Sequence, residues 1–253
     1  MSTSERSREI VALVRKLRSE FGDLAAANAG ADLEPVNSGT SGPATGVLGP
    51  DQPILNEFVR SMLIWEAGCT KAAAAIRRID GSCVDLNEFR VCLPTEMVKI
   101  IGERYPRVEE RCLRLRAALN QLFIREHSLT LQHLASLGKR EAREYLEALD
   151  GVPRFVSARV CLLCLGGHCA PVDSRILRRL LDAGVVDADA TPETAAGLIE
   201  RSIKAGELLD LYRLLQCAVD HSQGHSGDPP ARKPARPAKT ATKPAPRRKP
   251  AAE

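Results

Sequence analysis

The residues best placed to do chemistry lie between positions 146 and 180, LEALDGVPRFVSARVCLLCLGGHCAPVDSRILRRL. Asp150-Gly151-Val152 reads as a tight turn between two helices, because glycine adopts backbone conformations that other residues resist. Such a turn, followed by a helix N-terminus, points backbone N–H groups outward. Those groups can hold a phosphate whatever base it carries. Asp173 stands just before another helix. A carboxylate there can cap the free N–H groups of that helix. Beside a reacting centre it can instead stabilise positive charge and activate water. Arg175, Arg178 and Arg179 follow, either as a solvated helix face or as a surface for phosphates. Cys161, Cys164, His168 and Cys169 have the residue types of a metal set. Yet Cys161 and Cys164 fall on an apolar helix, where reduced cysteine packs as a small core residue, so no metal is expected.

A second feature is charge. Residues 229–253 carry Arg232, Lys233, Arg236, Lys239, Lys243, Arg247, Arg248 and Lys249 against one acid, Glu253. The net charge of the chain is +4, so the other 228 residues sum to −3. Seven prolines in the same stretch oppose a stable helix, so 223–253 is expected to be a disordered Lys/Pro/Ala-rich basic tail. Nucleic acid is the simplest partner for such an arm, bound without sequence preference and in a salt-dependent way.

The elements that must position these residues read as helices. Hydrophobic residues are 44% of the chain but aromatics only 4%, and no alternating run is long enough for a sheet. The expected fold is all-α. Residues 1–24 form an amphipathic helix on Ile10, Val11, Val14, Leu17 and Phe21. Residues 25–50, small, polar and Gly/Pro-rich, read as a flexible linker. From Asp51 to 222 the pattern is helical almost throughout. It includes a stripe of Leu113, Leu115, Leu119, Leu122 and Phe123, helices capped by Thr70 and Thr191, and a buried helix over VSARVCLLCLGG. No apolar run approaches the ~18 residues that span a bilayer. The N-terminus MSTSERSREI is charged where a signal peptide would be apolar. The expected location is therefore cytoplasmic, with nucleoid association through the arm.

From about Asp51 to about Cys217 the chain resembles the helix-hairpin-helix base-excision glycosylases of the endonuclease III type. Gly151-Val152-Pro153-Arg154-Phe155-Val156-Ser157-Ala158 lies over the family's hairpin and the start of its second helix. Pro171-Val172-Asp173-Ser174-Arg175 lies over the loop that bears its catalytic Asp. The resemblance implies a two-lobed helical bundle that binds double-stranded DNA as a monomer. It also implies a flipped-out base, and Asp173 beside the sugar as the residue that stabilises the oxocarbenium-like transition state. Gly151, Val152, Arg154, Phe155 and Arg175 would face the phosphates.

Four positions depart from the family pattern. Phe155 replaces the Lys that forms a Schiff base in bifunctional members, so the implied activity is a monofunctional DNA N-glycosylase without lyase chemistry. Pro153 replaces a hairpin glycine and removes one N–H. Arg175 replaces a His two residues after the Asp, where it can hold a phosphate or neutralise the carboxylate. The turn that enters DNA falls on Ile64-Trp65-Glu66-Ala67, where Trp65 is either a stacking wedge or a core residue. Many relatives bind an iron–sulfur cluster through four cysteines after the last helix. Only Cys217 is found there, so no cofactor is expected. The alternative to an enzyme is a non-catalytic protein of the same fold that binds damaged or distorted DNA.

Overall fold

The computed structural model describes residues 3–31, 47–49 and 51–223. Among them are eleven α-helices, one 3-10 turn (Gln132–Ser136) and no strand. The helices are α1 (Thr3–Ala31), α2 (Pro53–Ile64), α3 (Cys69–Asp80), α4 (Leu86–Val91), α5 (Pro94–Ile101), α6 (Val108–Glu126), α7 (Lys139–Glu147), α8 (Arg154–Cys164), α9 (Ser174–Asp182), α10 (Pro192–Ser202) and α11 (Ala205–Gln223). Their main packing partners divide into two sets. Helices α2 to α8 pack among themselves, chiefly α2 on α8, α5 on α6 and α7 on α8. Helices α1, α9, α10 and α11 form the other lobe, with α1 lying along α11. The fold is all-α and two-lobed, and both hairpin helices (α7 and α8) belong to the first lobe.

Local sequence explains most of the boundaries. Pro94 opens α5, and Glu96 accepts the Leu93 N–H at 2.7 Å. Thr191 accepts from the Thr194 N–H at 3.2 Å with Pro192 at the first helical position, which fixes the start of α10. Gly184, at φ +71°, ends α9. Helix α8 is buried from Phe155 to Leu162, in keeping with its apolar sequence.

Some expectations are corrected. The first helix does not stop at residue 24; it runs to Ala31, because Ala25–Ala27 are strong helix formers and Ala25 is buried. The supposed linker is thus helical at its start, and near its end Val47 is buried with its N–H on Asp80 at 2.9 Å. Helix α3 begins at Cys69 after Gly68, not at a Thr70 cap. Leu113 is exposed, so the α6 stripe is carried by Leu115, Leu119 and Leu122. The segment around Gln132 forms a 3-10 turn in place of an α-helix. Among the described residues no helix is long and apolar enough to cross a membrane.

Candidate nucleic-acid interface and the Asp173 seam

The hairpin is built on α6. Gly151 has φ +78°, and a Cβ there would stand 3.0 Å from the Arg114 Cα, so only glycine lets the turn lie this close to the helix. Arg114 Nη1 donates to the Gly151 carbonyl at 3.1 Å and Arg125 Nη2 donates to the Ala148 carbonyl at 2.9 Å. Gln121 Oε1 accepts the Asp150 N–H. Positions 114, 121 and 125 are seven and four residues apart, so they share one face of α6. These contacts consume the carbonyls of the turn and leave donors outward. The N–H groups of Gly151, Arg154 and Phe155 have no acceptor among the described residues. Arg154 is exposed beside them, while Val152 is half-buried.

Two expected DNA contacts move inward. Phe155 is 3% exposed, so it can offer DNA its backbone N–H and not its ring. Trp65 is also buried and is no wedge. Its ring is surrounded by the guanidiniums of Arg107, Arg111 and Arg114, whose Cζ atoms lie 5.0, 5.5 and 5.3 Å from the ring centroid. Arg111 is fully buried and donates to the carbonyls of Met62 and Trp65, closing the C-terminus of α2. Arg107 and Arg114 stay partly exposed on the hairpin side. Sequence reasoning missed them as cationic neighbours of the hairpin; their spacing at i and i+7 with Gln121 was the available signal.

Asp173 lies in the seam between the lobes and is 2% exposed. Its Oδ1 accepts the N–H groups of Arg175 at 3.1 Å and Ile176 at 2.9 Å, capping α9. Its Oδ2 accepts the N–H of Glu66 from the α2–α3 turn at 3.1 Å. Glu66 reciprocates: its carboxylate accepts the Ser174 N–H at 2.9 Å and the Ser174 hydroxyl. Burial raises the Asp173 carboxyl above its ordinary range, and the neighbouring Glu66 charge adds to this.

The Arg175 charge opposes the rise of the Asp173 carboxyl, but its guanidinium does not pair with that carboxylate. It donates to Asp220 on α11, and its side chain is 8% exposed, which also removes it from a phosphate-facing surface. Gly68 makes room for that pair, since a Cβ there would collide with the Asp220 carboxylate. Asp220 accepts in addition from the Cys69 N–H at 3.1 Å and from Gln216 at 3.0 Å. Gln216 takes the Tyr212 hydroxyl at 3.3 Å, which accepts from Arg159 Nε at 2.6 Å. Arg159 is wholly buried on Glu57 and Ser61 of α2. A continuous polar chain therefore crosses the seam from the interior to the start of α9.

Of the other expectations, Arg232, Lys233, Arg247, Arg248 and Lys249 lie outside the described residues. Among the described residues no group of three His, Cys, Asp or Glu is arranged to hold a metal ion. His168 turns away from the cysteines, its Nε2 on the Glu200 carbonyl at 2.8 Å.

A two-lobed helical fold with a hairpin on one lobe and an aspartate in the seam is shared with solved structures of endonuclease III. The chain is similar to endonuclease III in two solved structures, one a trapped covalent intermediate with DNA and one a non-covalent DNA complex. In each case the TM-score is 0.58, the identity 12%, and 85% of both chains is covered. No protein-family model and no curated protein matches the sequence.

Proposed function

We propose that this chain is a DNA-binding protein of base-excision repair that grips double-stranded DNA by the hairpin Ala148–Phe155. The observation that carries this reading is the set of N–H groups without an acceptor among the described residues at Gly151, Arg154 and Phe155, with Arg154 exposed beside them and Arg114, which also pairs with Glu110, on the Gly151 carbonyl. Amides at a helix N-terminus hold a phosphate oxygen, and the arginines add charge-assisted bonds. The basic tail raises affinity without selecting sequence. The likeness in fold to endonuclease III, solved in complex with DNA, supports DNA as the partner. With Asp173 buried and fully hydrogen-bonded, the geometry favours recognition of distorted DNA over turnover in the closed state.

A monofunctional N-glycosylase is the second reading. It is supported by the place of Asp173, a carboxylate in the seam just beyond the hairpin, held shut partly by the half-exposed Glu66 arm. If that arm swings away, Asp173 can stabilise the sugar cation while water attacks C1′ and the base leaves with the N-glycosidic electron pair. Phe155 in place of an amine leaves no Schiff-base route there.

The test is binding of the full chain to duplexes with and without an abasic site or mismatch, across a salt series. Tighter binding to the distorted duplex, lost in Gly151→Ala and weakened by about 1–3 kcal/mol in Arg154→Ala, is the expected result. Equal affinity of wild type and both variants for every duplex would sink the hairpin reading. Base release abolished by Asp173→Asn would select the second reading.

A further inference from the structure

The loop between α8 and α9 brings together two thiols that the DNA-binding site does not use. After Leu165 the chain reverses at Gly166, whose φ is +59°. Gly167 then donates its N–H to the Cys161 carbonyl at 2.8 Å. A Cβ on Gly167 would stand 3.2 Å from the Cys161 Cβ, so the loop packs directly against that residue. Two residues later Cys169 comes back beside Cys161, close enough for each thiol to act on the other's ionisation. The far side of the loop is pinned by the Ala170 N–H on Glu200 at 2.8 Å and by Lys139 on the Gly166 carbonyl at 2.6 Å.

The charges around the pair are asymmetric. Arg143 on α7 points Nη1 at the Cys169 sulfur, 3.5 Å away. The adjoining Cys161 thiol, opposed by burial and helped by Arg143, lowers the Cys169 thiol, while the Cys161 thiol is pushed up. A cavity of about 90 Å³ lined by Arg143, Phe155, Ala170, Val172 and Glu200 adjoins the loop. The cavity has room for a small oxidant beside the loop; neither sulfur lines it, and Cys169 is 7% exposed against 0% for Cys161.

We propose that Cys169 and Cys161 form an oxidation site for small peroxides, Cys169 being the attacking sulfur and Cys161 the resolving one. The Cys169 thiolate attacks one peroxide oxygen, the O–O bond breaks, and the departing hydroxide takes up a proton to leave as water. The sulfenic acid formed is then attacked by the Cys161 sulfur. The S–O bond breaks, the hydroxyl leaves with the Cys161 proton as a second water, and a disulfide closes. Two thiols lose two electrons and one peroxide is reduced to two waters. The bond clips to α8 the loop that runs on through Pro171 and Val172 to Asp173.

A second thiol pair in the same chain serves as a control. Cys83 and Cys92 also lie near each other, but burial, Cys92, Glu88 and Asp85 all push the Cys83 thiol up, to about 11. The more acidic, cation-facing thiol reacts first. The experiment treats the full-length protein with hydrogen peroxide, quenches by alkylation and maps the linked peptides. The expected result is loss of two of the eight free thiols as a Cys161–Cys169 linkage, before any Cys83–Cys92 linkage. Cys161→Ser should leave a Cys169 sulfenic acid that a 1,3-dione reagent traps, and Cys169→Ser should slow first-thiol loss on the order of tenfold or more. Retention of all eight thiols, or prior linkage of Cys83 and Cys92, overturns the proposal. If Cys169→Ser fails to fold, the wild-type map and the Cys161→Ser trapping decide it.

Discussion

Asp173 and Glu66 hold each other in opposite directions across the seam. The Asp173 carboxylate accepts the Glu66 N–H at 3.1 Å, and the Glu66 carboxylate accepts the N–H of the residue after Asp173 at 2.9 Å. Glu66 adopts φ +57°, a left-handed conformation that costs a non-glycine residue roughly 1–2 kcal/mol. A residue persists there when its surroundings over-determine it, and here the two reciprocal bonds do so. The turn after α2 and the start of α9 belong to different lobes, so this clasp is one of the contacts that hold the lobes closed over Asp173, beside the Cys69–Asp220 and Arg159–Tyr212 bonds.

The first prediction concerns pH. Burial places the folded-state Asp173 carboxyl above 3.8, its ordinary value. An acid raised on folding stabilises the fold while protonated. That contribution is complete below the unfolded value and is lost as pH climbs through the raised folded value. Asp173→Asn removes the titration. The melting temperature of the variant minus that of wild type should therefore rise as pH increases from about 4 towards neutrality. A flat difference across the series would mean that the carboxylate is as well solvated folded as unfolded.

Opening the clasp is the second. Glu66→Ala deletes the acceptor for the Ser174 N–H and hydroxyl and leaves Asp173 capping α9. Loss of a cap-like bond costs about 1 kcal/mol, so the variant should fold with a correspondingly lower melting temperature. The Ser174 amide should exchange with solvent roughly tenfold faster for each 1.4 kcal/mol of local protection lost. Unchanged exchange at Ser174 would show that the arm is not what closes the seam.

How much of this was readable beforehand depends on the range of the interaction. The hairpin turn at Gly151, the helix capped by Thr191 and the buried run of α8 follow from local residue types. The resemblance of the hairpin and the Asp173 loop carried the two-lobed expectation. The length of α1 is not legible because Ala25 to Ala31 are small and polar like a linker, and the burial of Ala25 comes from helices distant in sequence. Phe155 and Arg175 lie inside for a related reason, and Trp65, open between wedge and core, takes the core. Their neighbours (Arg107 and Arg114 for Trp65, Asp220 for Arg175) come from helices distant in sequence, and no local pattern announces such partners. The Glu66 clasp joins residues 108 positions apart, and one sequence alone does not pair them.

The buried end of the polar chain gives a third prediction. Arg159 is fully buried and bonds Glu57, Ser61 and Tyr212 at once. Arg159→Met leaves the Glu57 carboxylate in the core with only Arg60, 3.9 Å away, as countercharge, and should cost up to about 3–5 kcal/mol. Removing the charge as well, in Arg159→Met with Glu57→Gln, should recover a good part of the loss. A double-mutant cycle by denaturant unfolding measures the coupling, and additive effects would contradict the pairing.

The tail and the hairpin should separate in their salt response. Binding that neutralises phosphates falls with salt at a logarithmic slope of about −0.9 per phosphate contacted. Deleting residues 229–253 removes eight cations and one acid, so the slope should shrink and affinity for intact duplex should drop. The hairpin amides are backbone groups, fixed by Gly151 and by Arg114, Gln121 and Arg125, and the deletion leaves them in place. Preference for distorted over intact duplex should therefore survive the deletion, measured as a ratio of dissociation constants at low salt. If all DNA affinity disappears with the tail, the hairpin is not a grip. The helical lobes would then be a protein-interaction module that the arm tethers to DNA.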